Sequence, residues 1–175
     1  MGTGERAERL GRYRVLVLVH EGEQSRVYRC YDPALARELA LKVARPDAPD
    51  PARARRRLLR EARLRAADVH RAVLPLYQLQ RMVLGPVLVG PWVSSRPLAA
   101  LIGQGAPAPA SLALALADEI GGALDALHAS GWWHGDVSPA NILVEADGRL
   151  VLTDFGTARR LGRRPFDGRR LFTTP

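Results

Sequence analysis

One cysteine, one lysine and one asparagine occur in 175 residues. A lone Cys30 excludes an internal disulfide and suits a reducing setting. No apolar signal region follows the opening Met1-Gly2-Thr3-Gly4-Glu5-Arg6. The longest apolar stretch, residues 82–93, is broken by Gly85, Pro86, Gly90 and Pro91. It falls short of the ~20 apolar residues that a spanning helix needs. Together these absences set the expectation of a cytoplasmic chain without a membrane segment.

Aromatic residues are scarce too, at 6%. That scarcity bears on the net charge of +8. Two arginine clusters supply much of it: residues 53–65, then Arg159, Arg160, Arg163, Arg164, Arg169 and Arg170. Such runs attract polyanions. With few aromatics and no nucleic-acid-binding signature, they read as a solvated helix face and a basic loop. No specific nucleic-acid partner is expected. A hydrophobic content of 47% and a charged content of 25% describe a globular domain with a real core.

Val- and Leu-rich stretches at 13–20, 26–31, 38–44, 76–80 and 83–89 read as five strands. Residues 22–25 read as a turn. Ala40 and Lys42 fall on one face by the period of two. An Arg-rich helix is expected over 52–67, with Pro51 near its first turn. Residues 103–109 form a Gly/Pro/Ala loop. Ser111 suits the N-cap of a helix in which Leu112, Leu116, Ile120, Ala123, Leu124 and Leu127 recur at helical spacing, and Gly131 ends it. Residues 142–145 and 150–153 flank Asp147-Gly148 as a hairpin. The chain after Gly156 is basic and irregular.

Five polar residues stand out among these elements. Lys42 lies in Ala40-Leu41-Lys42-Val43, Glu61 in Leu59-Arg60-Glu61-Ala62-Arg63, and Asp136 and Asn141 in a segment opening His134-Gly135-Asp136. Asp154 opens Asp154-Phe155-Gly156. In so Arg-biased a chain, a surviving Lys marks a position that the planar guanidinium does not fill. Singly, each has an ordinary explanation. Asp136 can cap a turn, Asn141 can bond a loop, and Glu61 among arginines can be a helix-face ion pair.

In their order and spacing these motifs resemble the protein kinase family, closely the bacterial Ser/Thr kinases. The resemblance runs from about Tyr13 to Pro175. It implies an α+β, two-lobe protein-kinase-like fold: a five-stranded antiparallel N-lobe sheet with helix C, and an incomplete helical C-lobe. Residues 1–12 would be a tail, 13–93 the N-lobe and hinge, and 94–175 a partial C-lobe. The function implied is transfer of the ATP γ-phosphate to a protein hydroxyl, with ATP and Mg²⁺ as cofactors. Asp136, Lys42 and Glu61 would be the catalytic set: Asp136 accepts a hydroxyl proton, Lys42 holds phosphate, and Glu61 orients Lys42. Asn141 and Asp154 would hold the metal, offering oxygen ligands that suit a hard cation. Val19, Gly22, Val27, Ala40, Lys42, Pro91, Val93 and Leu143 would line the nucleotide site. Thr173-Thr174-Pro175 resembles the end of an activation segment.

The sequence departs from the family pattern at four places. Of the Gly-rich loop only Gly22 remains in His20-Glu21-Gly22-Glu23-Gln24-Ser25, and Glu21 and Glu23 place negative charge where phosphates belong. Gly135 replaces the Arg that reads a phosphorylated activation loop. Ser138 replaces a Lys that touches the transferred phosphate, which removes a cation from the transition state. The sequence stops before the large helices of the family's C-lobe. That stop sets the expectation of a truncated domain with impaired activity. Its helix from Ser111 would carry an uncovered stripe (Leu112, Leu116, Ile120, Leu124 and Leu127), needing a covering partner. Two alternatives stand beside the kinase reading: a pseudokinase that binds nucleotide or acts as a scaffold, and a small-molecule kinase of the aminoglycoside-phosphotransferase type, whose catalytic loop also begins His-Gly-Asp.

Overall fold

Alternating apolar residues build an antiparallel sheet of six strands. The computed structural model describes residues 9–67, 69–102 and 109–161. Its first six strands are β1 (Arg9–Leu10), β2 (Tyr13–Glu21), β3 (Ser25–Asp32), β4 (Arg37–Ala44), β5 (Gln78–Met82) and β6 (Gly85–Pro91). They lie in the order β1-β2-β3-β4-β6-β5, all antiparallel. The five expected strands are present. The sixth, β1, comes from the expected tail, because burying Leu10 beside Tyr13 draws those residues onto the sheet.

The chain divides into two compact units. The first holds the described residues up to Ala66 together with Pro75–Val93. On one face of its sheet, Leu39, Leu41 and Val43 of β4 and Val87 and Val89 of β6 pack with Tyr13 and Cys30. On the other face, Leu88 packs against Leu58 and Ala62 of helix α1 (Pro51–Arg65). Pro51 opens α1, where its missing N–H costs nothing. Asp50 caps the helix, its carboxylate accepting the Arg53 amide at 2.8 Å. Arginines also cover aromatic faces of this unit: Arg29 lies over Trp92 and Arg37 over Tyr77.

The second unit holds Ala67–Leu74 and the described residues from Ser94 onward. Strands β7 (Ser95–Pro97), β9 (Ile142–Glu145) and β10 (Leu150–Leu152) form a sheet in the order β10-β9-β7. Strands β8 (Trp132–Trp133) and β11 (Arg159–Arg160) pair separately. The helices are α2 (Leu98–Ile102), α3 (Ala110–Ala115) and α4 (Gly121–Ala129), with a π turn at Leu116–Ile120 joining the last two. Ser111 does not cap α3. The helix starts at Ala110, with the extended Pro109 at the N-cap position, which leaves Ser111 inside the first turn. Gly131 follows α4 at φ +80°, and its amide donates to the His128 carbonyl at 2.9 Å.

The expected apolar stripe is covered in part from within the unit. Ile120 and Leu127 are buried, at 4% and 0% exposure, while Leu112, Leu116 and Leu124 are half-buried. Strand β10 lies against the π turn, and Glu119 fixes it there by accepting the Leu150 amide at 3.1 Å. Most of the 103–109 loop and the segment ending Thr173-Thr174-Pro175 lie outside the described residues. No helix among the described residues is long and apolar enough to cross a membrane.

Candidate active site

Lys42 lies in the middle of β4, opposite Val27 on β3 and Leu88 on β6. Leu88 faces α1, so this side of the sheet directs Lys42 to the helix. Lys42 Nζ donates to Glu61 Oε2 at 2.7 Å, with Lys42 16% exposed and Glu61 1%. A carboxylate taken so far out of water must be matched by charge and hydrogen bonds. Arg65, one helical turn on, supplies a second match: its Nη1 donates to Glu61 Oε1 at 3.1 Å. Its Nη2 donates to the Pro75 carbonyl. Burial pushes the Arg65 guanidinium below its ordinary pKa, and Glu61 pulls it back up.

The turn between β2 and β3 retains one glycine, Gly22. A Cβ at Gly22 would sit 3.0 Å from His20 Nε2, and the Gly22 amide donates to the Ser25 carbonyl at 2.9 Å. The sequence places the negative charge of Glu21 and Glu23 at this turn. Glu21 is paired in the structure. Arg26 donates to Glu21 at 2.9 Å, and Arg45 lies 3.5 Å from it. Arg45 also donates to the Gly22 carbonyl at 3.1 Å. Asp47 ties the two arginines together, at 2.8 Å from Arg45 and 3.0 Å from Arg26. Its hydrogen bond from Arg45, above all, holds the Asp47 carboxyl well below the usual range.

The other first-unit residues of the expected nucleotide set spread along the same strands. Val27 and Ala40 are half-buried, and Ala40 faces Gly90 across the ladder. Pro91 faces Leu39, and Val93 follows β6. Val19 stands at an irregularity of β2 and is exposed. Leu143 belongs to the second unit, on β9, between Val151 of β10 and Pro97 of β7.

In the second unit a hydrogen-bonded loop gathers the remaining residues. The Asp136 amide donates to His134 Nδ1 at 3.2 Å, which makes Nδ1 an acceptor and Nε2 the protonated nitrogen. Nε2–H then donates to the Thr153 carbonyl at 3.0 Å. The buried His134 ring meets Phe155 edge-on, with centroids 4.8 Å apart. Gly135 takes φ +84°, and a Cβ there would lie 3.0 Å from the Thr157 carbonyl oxygen. An arginine at this position would therefore be strained and crowded. Asn141 Nδ2 donates to both the Asp136 carbonyl, at 2.8 Å, and Asp136 Oδ2, at 3.1 Å. The Thr153 amide donates to the Asn141 carbonyl at 2.9 Å, which sets Asp154 next to Asn141 in the chain path. Asp154 itself is left-handed, at φ +59°, a conformation tolerated by Asp better than by most residues.

Sequence reasoning missed Arg65, His134 and the Arg26–Arg45–Asp47 network. The four-residue step from Glu61 to Arg65 was the available signal. Nothing in the spacing of Arg45 and Asp47 marks them as partners of the turn.

A protein kinase domain model matches residues 13–174. The chain belongs to the protein kinase family. It is 36% identical over 160 residues to the Ser/Thr-protein kinase PknE of Mycobacterium tuberculosis, covering 90% of this chain and 28% of PknE. It is 34% identical over 149 residues to PknD of the same species, covering 85% of this chain and 22% of PknD. The solved PknI kinase domain of M. tuberculosis superposes with a TM-score of 0.71 at 27% identity, covering 86% of this chain and 60% of that one. This kinase chain thus spans less than a third of the curated relatives it matches. These matches favour neither a pseudokinase nor an aminoglycoside-phosphotransferase reading.

Protein kinases as a family use ATP and Mg²⁺. The donors here suit that metal. Asn141 and Asp154 offer hard oxygens, and with Nδ2 committed to Asp136 the Asn141 side chain presents Oδ1. Among the described residues no cluster of three or more His, Cys, Asp or Glu forms a complete protein cage. One or two protein oxygens, completed by phosphates and water, are the usual complement for Mg²⁺.

Proposed function

We propose that this kinase domain transfers the γ-phosphate of ATP to a Ser or Thr hydroxyl of a protein substrate. The observation that carries the reading is the ion pair around the chain's single lysine, Lys42 to Glu61 at 2.7 Å. Lys42 presents a cation to phosphate, and Glu61 fixes its direction. Asp136 accepts the proton of the attacking hydroxyl at its carboxylate. The Asn141 amide holds that carboxylate through Oδ2, leaving Oδ1 for the proton. Asn141 Oδ1 and the Asp154 carboxylate would hold Mg²⁺, which neutralises phosphate charge when bound. Val19, Gly22, Val27, Ala40, Pro91, Val93 and Leu143 would contact the nucleotide. The pairing of Glu21 by Arg26 and Arg45 supports nucleotide binding despite the altered turn. Ser138 leaves the transferred phosphate without the cation that Ser/Thr kinases place there, so turnover should be slow. The buried thiol of Cys30 accords with a cytoplasmic setting.

Calorimetry with Mg-ATP tests the nucleotide set. Lys42→Met and Asp154→Asn should each weaken binding by tenfold or more, given roughly 1.4 kcal/mol per decade and one lost charge apiece. Undiminished binding in both would refute the assignment. For transfer, Asp136→Asn should abolish label incorporation from γ-labelled ATP into a basic protein while leaving Mg-ATP binding in place.

A further inference from the structure

Glu61 holds two cations, and the second is built into the interior. Arg65 is 5% exposed. Its guanidinium is fixed at Glu61 Oε1, at the Pro75 carbonyl and against the flank of Gly90. A Cβ built on Gly90 would lie 3.0 Å from Arg65 Nη2 and 3.1 Å from the Pro75 oxygen. The backbone at Gly90 does not occupy the left-handed region, so conformation does not demand glycine there. Its neighbours Val87, Leu88 and Val89 are each 1% exposed, an interior strand where a larger side chain is the ordinary choice. Glycine inside a strand marks a close approach by another group. Here two groups approach together, the Arg65 guanidinium and the Pro75 carbonyl oxygen that accepts from it.

We propose that Arg65 is a positioning residue for the Lys42–Glu61 pair, and that residue 90 is glycine in order to admit it. The proposal rests on the reading that this pair serves phosphoryl transfer. A carboxylate facing one flexible ammonium can rotate about its last bonds. Arg65 claims Oε1, which leaves Oε2 directed at Lys42 Nζ. The guanidinium is rigid and planar, and its anchor at Pro75 lies outside α1. Glu61 is therefore oriented by a fixed donor rather than by Lys42 alone. A lysine at 65 would keep the charge but lacks the fork that reaches both acceptors.

The chain's single lysine supplies a direct probe. Acylation of the full chain by an N-hydroxysuccinimide ester, followed by peptide mass spectrometry, reads Lys42 separately from the N-terminal amine. Gly90→Ala alters no charge and displaces the guanidinium. Lys42 should acylate several-fold faster in this variant, and kcat for Mg-ATP-dependent transfer should fall by up to about a hundredfold, the scale of ångström-level misplacement. Arg65→Leu should also acylate faster. Loss of the Arg65 charge alone would hold Lys42 protonated more firmly and slow the reaction, so a faster rate has a geometric cause. In a Glu61→Gln background Arg65→Leu should lower kcat no further. A rate that is unchanged or slower in either folded variant overturns the proposal. If Gly90→Ala does not fold, because the Pro75 oxygen at 3.1 Å does not give way, Arg65→Leu alone decides, and an unchanged or slower acylation rate in it overturns the proposal. A wild-type chain without Mg-ATP transfer would count against the kinase reading, and the acylation rates would still decide the role of Arg65.

Discussion

Replacing Glu61 with Ala removes the carboxylate that lies between Lys42 and Arg65. At 2.7 and 3.1 Å the two contacts are each worth roughly 5–6 kcal/mol of gross attraction at an effective dielectric of about 20. Burying each ion costs several kcal/mol, so assembling the cluster comes close to break-even. Breaking it does not. With Glu61 gone, Arg65 keeps its charge at 5% exposure. Such a loss of one buried partner costs about 3–5 kcal/mol. That is a large share of a total stability of about 5–15 kcal/mol. In urea melts followed by circular dichroism at neutral pH, Glu61→Ala should lower the midpoint by roughly 2 M, for a slope near 2 kcal/mol/M. The double variant Glu61→Ala/Arg65→Met replaces charges by apolar atoms and should recover most of the loss. A double variant less stable than Glu61→Ala would refute the reasoning, because it would mean that Arg65 stabilises without its carboxylate. Function and stability part company here: the double variant should fold well and transfer phosphate poorly.

Further expectations follow from single sites. Gly135→Ala combines φ +84° with a 3.0 Å approach to the Thr157 carbonyl, and should cost roughly 1–3 kcal/mol in a thermal melt; an unshifted melt would contradict the geometry. Leu127, at 0% exposure, should cost about 2–5 kcal/mol when cut to Ala. Leu114, at 72%, should change stability by no more than about 0.5 kcal/mol on the same substitution. Equal losses at the two positions would mean that the stripe is buried elsewhere than the structure places it. Burial pushes the Cys30 thiol up to about 11, from 9.0 when unfolded. The unfolded chain therefore ionises first as pH rises. The Cys30 contribution is complete below pH 9.0 and lost between there and about 11. Stability should fall over that window, and Cys30→Ala should flatten the fall; an identical slope in the variant would exclude the thiol as its source.

The strands were legible because burial alternates along them. In β4 the sequence Leu39, Leu41, Val43 points one way and Ala40, Lys42 the other, and the core follows that alternation. Strand β1 was not legible, since two residues carry no period and pairing depends on Leu10 finding Tyr13. The helical region was read correctly as helical and incorrectly as regular. Leu112, Leu116 and Ile120 stand four apart, a step that over-rotates by about 40° on an α-helix. A π turn holds more residues per turn and offsets such drift, and one occurs at Leu116–Ile120. Strand β10, distant in sequence, lies against the π turn that carries Ile120, and helical spacing does not report that packing.

At the site, charge type was legible and partnership was not. Lys42 and Glu61 were paired through resemblance, and the structure joins them. Arg65 looked like one more member of a basic helix face, alongside Arg53, Arg55, Arg56 and Arg63, which are exposed. What separates it is depth: Arg65 is buried, with its guanidinium against Gly90 of β6. The glycines teach the same lesson. Gly135 is required both by its backbone angle and by the nearby Thr157 carbonyl, whereas Gly90 is required by space alone. Composition shows neither demand. A missing side chain becomes informative only when the atoms that fill its place are known, and at Gly90 those atoms are the Arg65 guanidinium and the Pro75 carbonyl oxygen that accepts from it.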